Sequence, residues 1–95
     1  MAYGIVHRFP GGTKEQYEVA VARVHPQGGL PEGQIVHIAG PTEDGWIVIA
    51  VHESQESWER FRDETLLPGL ADLGDEGFQN PPAETTYDVD VLEHA

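Results

Sequence analysis

Two residues with chemical potential stand in stretches built mainly from aliphatic side chains: His37 in QIVHIAG and Trp46 in WIVIAVH. A neutral imidazole can accept or donate a proton near pH 7, which suits proton abstraction from a phenol or an activated carbon acid. An indole can form an apolar wall that stacks against an aromatic ligand. The combination indicates a small apolar cavity with a few polar groups that could hydrogen-bond a ligand. A buried structural histidine and a tryptophan in ordinary core or dimer packing would produce the same pattern.

Two further residues are candidates for the same cavity. His7 lies on the first predicted strand and shares a face with three large side chains, Tyr3, Ile5 and Phe9. That face is either the cavity side or the helix side, so His7 is the alternative base to His37. Tyr87, on the last predicted strand, is either a dimer contact or a phenolic hydrogen-bond donor at the cavity mouth. The remaining histidines, His25, His52 and His94, are expected at the surface.

Recognisable metal, cofactor and nucleophile motifs are missing from the chain. There is no cysteine, which excludes disulfides, thiolate metal sites and a thiol nucleophile. No pair of histidines has ligand spacing on a strand or helix, and neither G-x-G-x-x-G nor G-x-S-x-G occurs. The sequence therefore predicts no metal and no cofactor, and leaves a cofactor-free reaction or simple binding.

The elements that must position these residues follow from periodicity and capping patterns. Thr13 and Gln16 form a capping box before a helix whose apolar stripe is Tyr17, Ala20, Val21 and Val24. Ser54 caps a second helix with the stripe Trp58, Phe61, Thr65 and Leu66. The predicted strands cover residues 2–9, 34–40, 46–52 and 85–92.

The resulting order is β-α-β-β-α-β, which predicts an α+β, ferredoxin-like domain over residues 1–95. Two helices would cover one face of a four-stranded antiparallel sheet. The middle strands are apolar on both sides, so the other face also needs a cover. A second copy of the chain is the simplest one, and the sequence predicts a homodimer.

One register of the central hairpin separates its side chains into two distinct faces. In it the residue numbers of each facing pair add up to 85, so that Ala39 opposes Trp46 and His37 opposes Val48. One face then holds aliphatic residues alone: Val36, Ile38, Ile47, Ile49 and Val51. The other face holds His37, Trp46 and Val48, and Val48 becomes a further candidate for ligand contact. We expect the aliphatic face to pack on the helices and the histidine face to line a barrel interior away from them.

The stretch from Gly33 to Pro68 also supports a family resemblance. It contains G-x-I-x-H-x-A-G, then G-W, then S-x-E-x-W-x-x-F-x-x-x-x-L-x-P. With the element order and the length, this run resembles the dimeric α+β barrel superfamily, and within it the small antibiotic-biosynthesis monooxygenases. The resemblance implies a homodimer that binds a small aromatic, polyketide-like molecule and acts as a cofactor-independent monooxygenase, with His37 or His7 as base.

The same superfamily leaves other functions open. It includes polyketide cyclases and haem-processing enzymes, and a non-catalytic ligand-binding or stress-associated dimer is equally compatible with the sequence. Haem processing would lead one to expect a histidine on the second helix, and residues 54–67 contain none.

Composition limits the partners. The formal charge is −12, with 17 acidic against 5 basic residues, which disfavours nucleic acid and anionic membrane surfaces. No apolar run is long enough to span a bilayer, and the start lacks a signal-peptide layout. We expect a cytoplasmic protein.

Overall fold

The computed structural model describes residues 1–93, so His94 lies outside the described residues. Its core is one antiparallel sheet of four strands in the order β2-β3-β1-β4. The strands are β1 (Tyr3–Pro10), β2 (Gln34–Thr42), β3 (Gly45–His52) and β4 (Ala83–Asp88). The helices follow β1 and β3, which gives the predicted β-α-β-β-α-β order and confirms the ferredoxin-like α+β fold.

The first helix, α1 (Lys14–Val24), begins and ends as its sequence requires. The Thr13 hydroxyl accepts the backbone N–H of Gln16 at 3.2 Å, and the Gln16 side chain accepts that of Thr13 at 3.0 Å. This is the predicted capping box. The helix ends at His25, which is extended because the following residue is Pro26.

The second helical stretch has three parts: α2 (Gln55–Phe61), a π-helical turn (Arg62–Leu66) and α3 (Leu67–Leu73). The proline at position 68 explains the middle part. In a regular α-helix its ring would clash with the carbonyl four residues earlier. The wider turn, in which the N–H of Leu67 bonds the carbonyl of Arg62, relieves that clash.

The π turn also changes which side chains face the sheet. It inserts one extra residue, so Phe61 is followed on the inner face by Leu66 rather than by Thr65. The predicted stripe is therefore right at Trp58, Phe61 and Leu66 and wrong at Thr65. Thr65, predicted inside, is exposed, whereas Leu66 and Leu70 are half-buried and line the space over the sheet.

The last strand is shorter than predicted and starts earlier. It spans Ala83–Asp88 rather than residues 85–92. The reason is its partner: Tyr3, the first residue of β1, already pairs with Asp88. Beyond that point only the N–H of Val89, bonded to the carbonyl of Ala2, continues the pairing.

In the hairpin, the numbers of facing residues add up to an odd number, as predicted, but the sum is 87 instead of 85 from Val36 to Thr42. Trp46 opposes Pro41 instead of Ala39, and His37 opposes Ala50 instead of Val48. The strands close through a loop of two residues, Glu43 and Asp44, so β2 runs on through Pro41. A proline is tolerated there because β2 is an edge strand.

The prediction of which face the helices cover is wrong. His37 and Val48 lie on the face beneath the helices, where His37 bonds a tyrosine of α1 and faces Trp58 and Phe61 across a cavity. Both faces of the hairpin are apolar enough to be buried. The alternation of side chains therefore shows which residues share a face, but it does not show which face the helices cover.

The uncovered face is the aliphatic one. Along it, Ile38 opposes Ile49, which in turn opposes Val6. Ile38 is 58% exposed and Tyr87, at the β4 edge of the same face, is 45% exposed. Within residues 1–93, no helix has the length and apolar character needed to cross a bilayer.

Candidate functional site

A cavity of about 340 Å³ lies between the covered face of the sheet and the helices. The sheet contributes one wall, made of Ile5, His7, Phe9, Gln34, His37, Val48 and Ala50. The helices contribute the opposite wall, with Tyr17, Ala20, Val21, Val24, Trp58 and Phe61 among its residues. Most of these side chains are apolar, and the polar ones gather at two ends. The arrangement suits a small ligand with an apolar body.

A β-bulge brings two polar residues of β2 to the same end. In a regular strand, Gln34 and His37 would point to opposite faces because they are three residues apart. The register shifts between Gln34 and Val36, so Ile35 is an extra residue that points outward and is 44% exposed. Gln34 therefore faces the helices beside His37. Bulges that redirect a side chain recur next to active sites.

These residues belong to a continuous chain of hydrogen bonds. The Tyr17 hydroxyl lies 2.6 Å from Nε2 of His37, and Nδ1 of His37 lies 2.9 Å from the Gln34 carbonyl oxygen. The amide nitrogen of Gln34 lies 3.2 Å from Nε2 of His52, and Nδ1 of His52 lies 3.0 Å from the Ser57 hydroxyl. The chain thus runs from the cavity wall into the interior.

Burial keeps the imidazoles of this chain neutral. The pKa of His37 is lowered to about 4, first by desolvation and second by the charge of the nearby His25. Desolvation also lowers the pKa of His52 and of His25, and raises the pKa of Tyr17. At neutral pH, His37 is an uncharged acceptor and Tyr17 a protonated donor.

The other polar end of the cavity holds His7. Its Nε2 lies 2.7 Å from Oε2 of Glu84, a half-exposed carboxylate on the neighbouring strand. Its ring also contacts the edge of Trp58, with centroids 5.8 Å apart. His7 and His37 therefore line the same cavity, two strand spacings or roughly 10 Å apart across the sheet.

The π turn and the segment before β4 also line the cavity. Arg62, Leu66 and Leu67 line it from the helical side. Phe78 lines it from the segment before β4 and stacks on Phe9, with centroids 3.8 Å apart. The Arg62 guanidinium binds the carboxylate of Asp63, with Nε 2.8 Å from Oδ1.

Comparisons with known proteins rest on structure. No protein-family model and no curated protein matches the sequence. A structure from Chloroflexus aurantiacus, described as an antibiotic biosynthesis monooxygenase, superimposes with a TM-score of 0.68 at 13% identity, over 100% of this chain and 98% of that one. The structure of Rv0793 from Mycobacterium tuberculosis gives 0.67 at 18% identity, over 100% and 99% of the two chains.

A third solved structure contains a ligand. It is a monooxygenase from the gene ActVA-Orf6 of Streptomyces coelicolor in complex with nanaomycin D, with a TM-score of 0.59 at 16% identity over 99% of this chain and 91% of that one. The chain has the fold of the antibiotic-biosynthesis-monooxygenase-like proteins. The resemblance predicted from the Gly33–Pro68 motifs is confirmed at the level of fold.

Of the two predicted ligand contacts on β3, Val48 and Trp46, the first lines the cavity and the second does not. Val48 lines the cavity, between the strands that carry His7 and His37. Trp46 is on the same face but beyond the cavity wall, and it packs against Tyr17 with centroids 5.1 Å apart. Its indole N–H is buried without a hydrogen-bond partner among residues 1–93.

Tyr87 lies on the opposite face of the sheet. It opposes Gly4, and its ring covers that residue so closely that a Cβ at position 4 would lie 2.5 Å from the ring. Tyr87 therefore does not contact the cavity, and of its predicted roles only the dimer contact fits its position.

Two histidines that were expected at the surface belong to the interior. His52 is 0% exposed because β3 ends beneath α2, where its ring contacts Trp58. His25 is half-buried, lines the cavity and packs against His37 with centroids 4.7 Å apart. Sequence position alone places both at element ends, and only the packing of the helices on the sheet covers them.

Two polar groups of the site, Tyr17 and Gln34, are not predicted from the sequence. The apolar stripe of the first helix correctly gives the direction of Tyr17 but not the role of its hydroxyl. Gln34 stands at the start of a predicted strand, where no local pattern marks it as part of a site. No group of three or more His, Cys, Asp or Glu side chains within residues 1–93 is close enough to hold a metal ion.

Proposed function

We propose that the protein binds a small aromatic, polyketide-like molecule in the cavity beneath the helices, as a cofactor-independent monooxygenase-type enzyme. The observation that carries the proposal is the Tyr17–His37 pair, a donor and a neutral imidazole placed in an otherwise apolar cavity. The volume of about 340 Å³ is within the range of small-molecule sites. The Streptomyces neighbour with nanaomycin D shows that this fold can hold a small molecule.

The reaction would begin with proton transfer. A phenolic hydroxyl of the substrate would take the place of the Tyr17 hydroxyl at Nε2 of His37, or transfer its proton through Tyr17 to that nitrogen. The electron-rich anion would donate electrons to O₂ and form a carbon–oxygen bond at a carbon that still carries a hydrogen. The resulting peroxide would take back the proton held by the imidazole. Loss of water from the resulting hydroperoxide leaves a carbonyl, so one oxygen atom stays in the product and the other leaves in water.

The low basicity of His37 limits the substrates. Because its pKa is about 4, deprotonating a phenol of pKa near 10 would cost about 8 kcal/mol, at about 1.4 kcal/mol per unit. Acidic phenols and enolised carbon acids lower that cost. His7, paired with the half-exposed Glu84, is the alternative base in the same cavity.

The same observation favours a second function, ligand binding without turnover. A neutral imidazole and a phenol suffice to hydrogen-bond a ligand oxygen, whatever their strength as base or acid. An aldol-type cyclisation would use the same base on a carbon acid. Turnover in the presence and absence of O₂ separates these three outcomes.

The test uses a panel of hydroxylated anthrones and naphthols, with ligand binding followed by tryptophan fluorescence and turnover by O₂ uptake. If His37 is the base, His37→Gln should lower the rate by about 10² to 10⁴-fold and leave binding largely intact. The matched variant is His7→Gln, which changes the other end of the cavity. A rate lost in His7→Gln alone would assign the base to His7. Equal rates in both variants and the parent would contradict the catalytic proposal.

We further propose that the protein works as a homodimer in which a second copy covers the aliphatic sheet face. That face is uncharged along the row from Ile38 through Ile49 to Val6, and it exposes Ile38 and Tyr87 to solvent. Isolated domains seldom leave so broad an apolar surface in water. The β4 edge, with Tyr87 over Gly4, would lie at the contact.

A further inference from the structure

The chain of hydrogen bonds from Tyr17 to Ser57 continues behind the cavity through buried polar side chains. His52 is 0% exposed, Ser57 is 8% exposed and Gln34 is 9% exposed. His52 and Ser57 are not part of the cavity wall, so neither can touch a ligand there. Burying polar groups is unfavourable unless they are hydrogen-bonded, and apolar residues would fill the same space without that constraint.

We propose that Gln34, His52 and Ser57 are positioning residues, in which Gln34 couples the two imidazoles into one tautomeric state. That state leaves Nε2 of His37 free of hydrogen, as the acceptor for the Tyr17 hydroxyl at the cavity wall. The proposal deepens the proposed function, on which its catalytic meaning rests. The tautomeric state itself is a property of the ligand-free protein.

The two ends of the Gln34 amide have different hydrogen-bonding roles. Its carbonyl oxygen, which only accepts, is 2.9 Å from Nδ1 of His37, so that nitrogen must carry the hydrogen. Its NH₂ group, which only donates, is 3.2 Å from Nε2 of His52, so that nitrogen must be bare. Each neutral imidazole has one hydrogen, and both rings are therefore Nδ1–H.

The two ends of the chain agree with this direction. The bare Nε2 of His37 accepts the Tyr17 hydroxyl, and a phenol is a better donor than acceptor. The Nδ1–H of His52 donates to the Ser57 hydroxyl oxygen. Every hydrogen bond then points from the cavity to the interior.

A mixed state, with one ring Nδ1–H and the other Nε2–H, would break the chain at Gln34. Either two acceptors or two donors would meet at one end of the amide, and a buried polar group would lose its partner. Such a loss disfavours the mixed state by on the order of tenfold to a hundredfold. The amide therefore transmits the tautomer of one ring to the other.

The experiment is nitrogen NMR of the imidazoles in labelled, ligand-free protein at neutral pH, in the parent and in Gln34→Glu. A carboxylate has nearly the shape of the amide but accepts at both ends. In this variant His37 should keep its hydrogen at Nδ1, whereas Nε2 of His52 should gain a hydrogen, by a change of tautomer or by protonation of the ring beside the new carboxylate. A residue that merely fills space would leave the tautomer of His52 unchanged.

The matched control is Gln16→Glu, the same chemical change in the capping box of α1, where glutamate is a usual residue. It should leave both rings Nδ1–H. The proposal is overturned if Nε2 of His52 carries no hydrogen in Gln34→Glu. If that variant does not fold, the parent spectrum alone decides, since different tautomers for the two rings would overturn it. Because no ligand is used, absence of turnover would leave this result intact.

Discussion

At the scale of single residues, the site depends on a hydroxyl and an imidazole that share one hydrogen bond. Tyr17 and His37 come from α1 and β2, and their atoms are 2.6 Å apart. Burial makes the phenol harder to ionise and the imidazole harder to protonate, so both stay neutral over a wide pH range. A neutral pair suits a neutral aromatic ligand, because neither group brings a net charge into the apolar cavity.

The lowered pKa of His37 predicts how stability depends on pH. An unfolded histidine binds its proton near pH 6.5, whereas folded His37 does so only near pH 4. Between these values the unfolded state holds more protons, so the free energy of unfolding should fall as the pH drops from 6.5 to 4. A fully shifted group would change the free energy of unfolding by about 1.4 kcal/mol per pH unit. The change due to His37 should be smaller, because the ring is half-exposed.

Denaturant unfolding of the parent and of His37→Gln across this window measures the effect. Glutamine does not titrate there, so the parent should lose more stability than the variant as the pH falls. His25 and His52 also have lowered pKa values and remain in both proteins, so the difference reports His37 together with its coupling to His25. A stability difference that does not change with pH would contradict the prediction.

At the scale of elements, α1 and α3 approach each other closely at one glycine, and both helices line the cavity. Gly69 is buried, and a Cβ there would lie 2.7 Å from Cγ1 of Val24. The close contact sets the position of α3, which supplies Leu67 and Leu70 to the cavity. The π turn before it lets the chain pass Pro68 without ending the helical stretch.

Gly69→Ala should therefore separate the two helices. We expect a loss of about 1 to 3 kcal/mol in the free energy of unfolding, the usual result of overpacking, and weaker ligand binding because α3 moves. Gly29→Ala is the matched control, since a Cβ there meets nothing within 4 Å, and it should change stability by less than about 0.5 kcal/mol. Equal effects of the two substitutions in urea unfolding would show that the helix contact is not tight.

At the scale of the whole molecule, the sheet separates two surfaces with different uses. The face beneath the helices contains the cavity and the polar chain. The other face is aliphatic, and we propose that a second copy covers it. A chain with a charge of −12 repels its own copies, so contact is easiest through a face with few acidic groups.

Ile38→Asp tests the proposed dimer, because Ile38 is 58% exposed on the aliphatic face and opposes Ile49 there. A carboxylate at this point would be buried without a partner in the dimer, so light scattering should show a dimer for the parent and a monomer for the variant. Leu30→Asp, on the exposed loop before β2, makes the same change away from the sheet and should remain dimeric. A monomeric parent, or a variant as dimeric as the parent, would disprove this interface.

What the sequence determined by itself was local in origin. The capping box at Thr13, the Ser54 cap and the stripe of α1 predicted the helices correctly, because each depends on residues within a few positions. The residues that share a face of the hairpin were also predictable, since a shift of one strand by one residue would move all of its side chains to the opposite face.

Only the tertiary structure decided which hairpin face the helices cover, since both faces are apolar. It also decided the bulge at Ile35, because an extra residue is visible only once β2 pairs with β3. The chain from Tyr17 to Ser57 joins four elements, α1, β2, β3 and α2, and no local pattern brings them together. Local rules specify the elements and their alternation, whereas the site arises where separate elements meet.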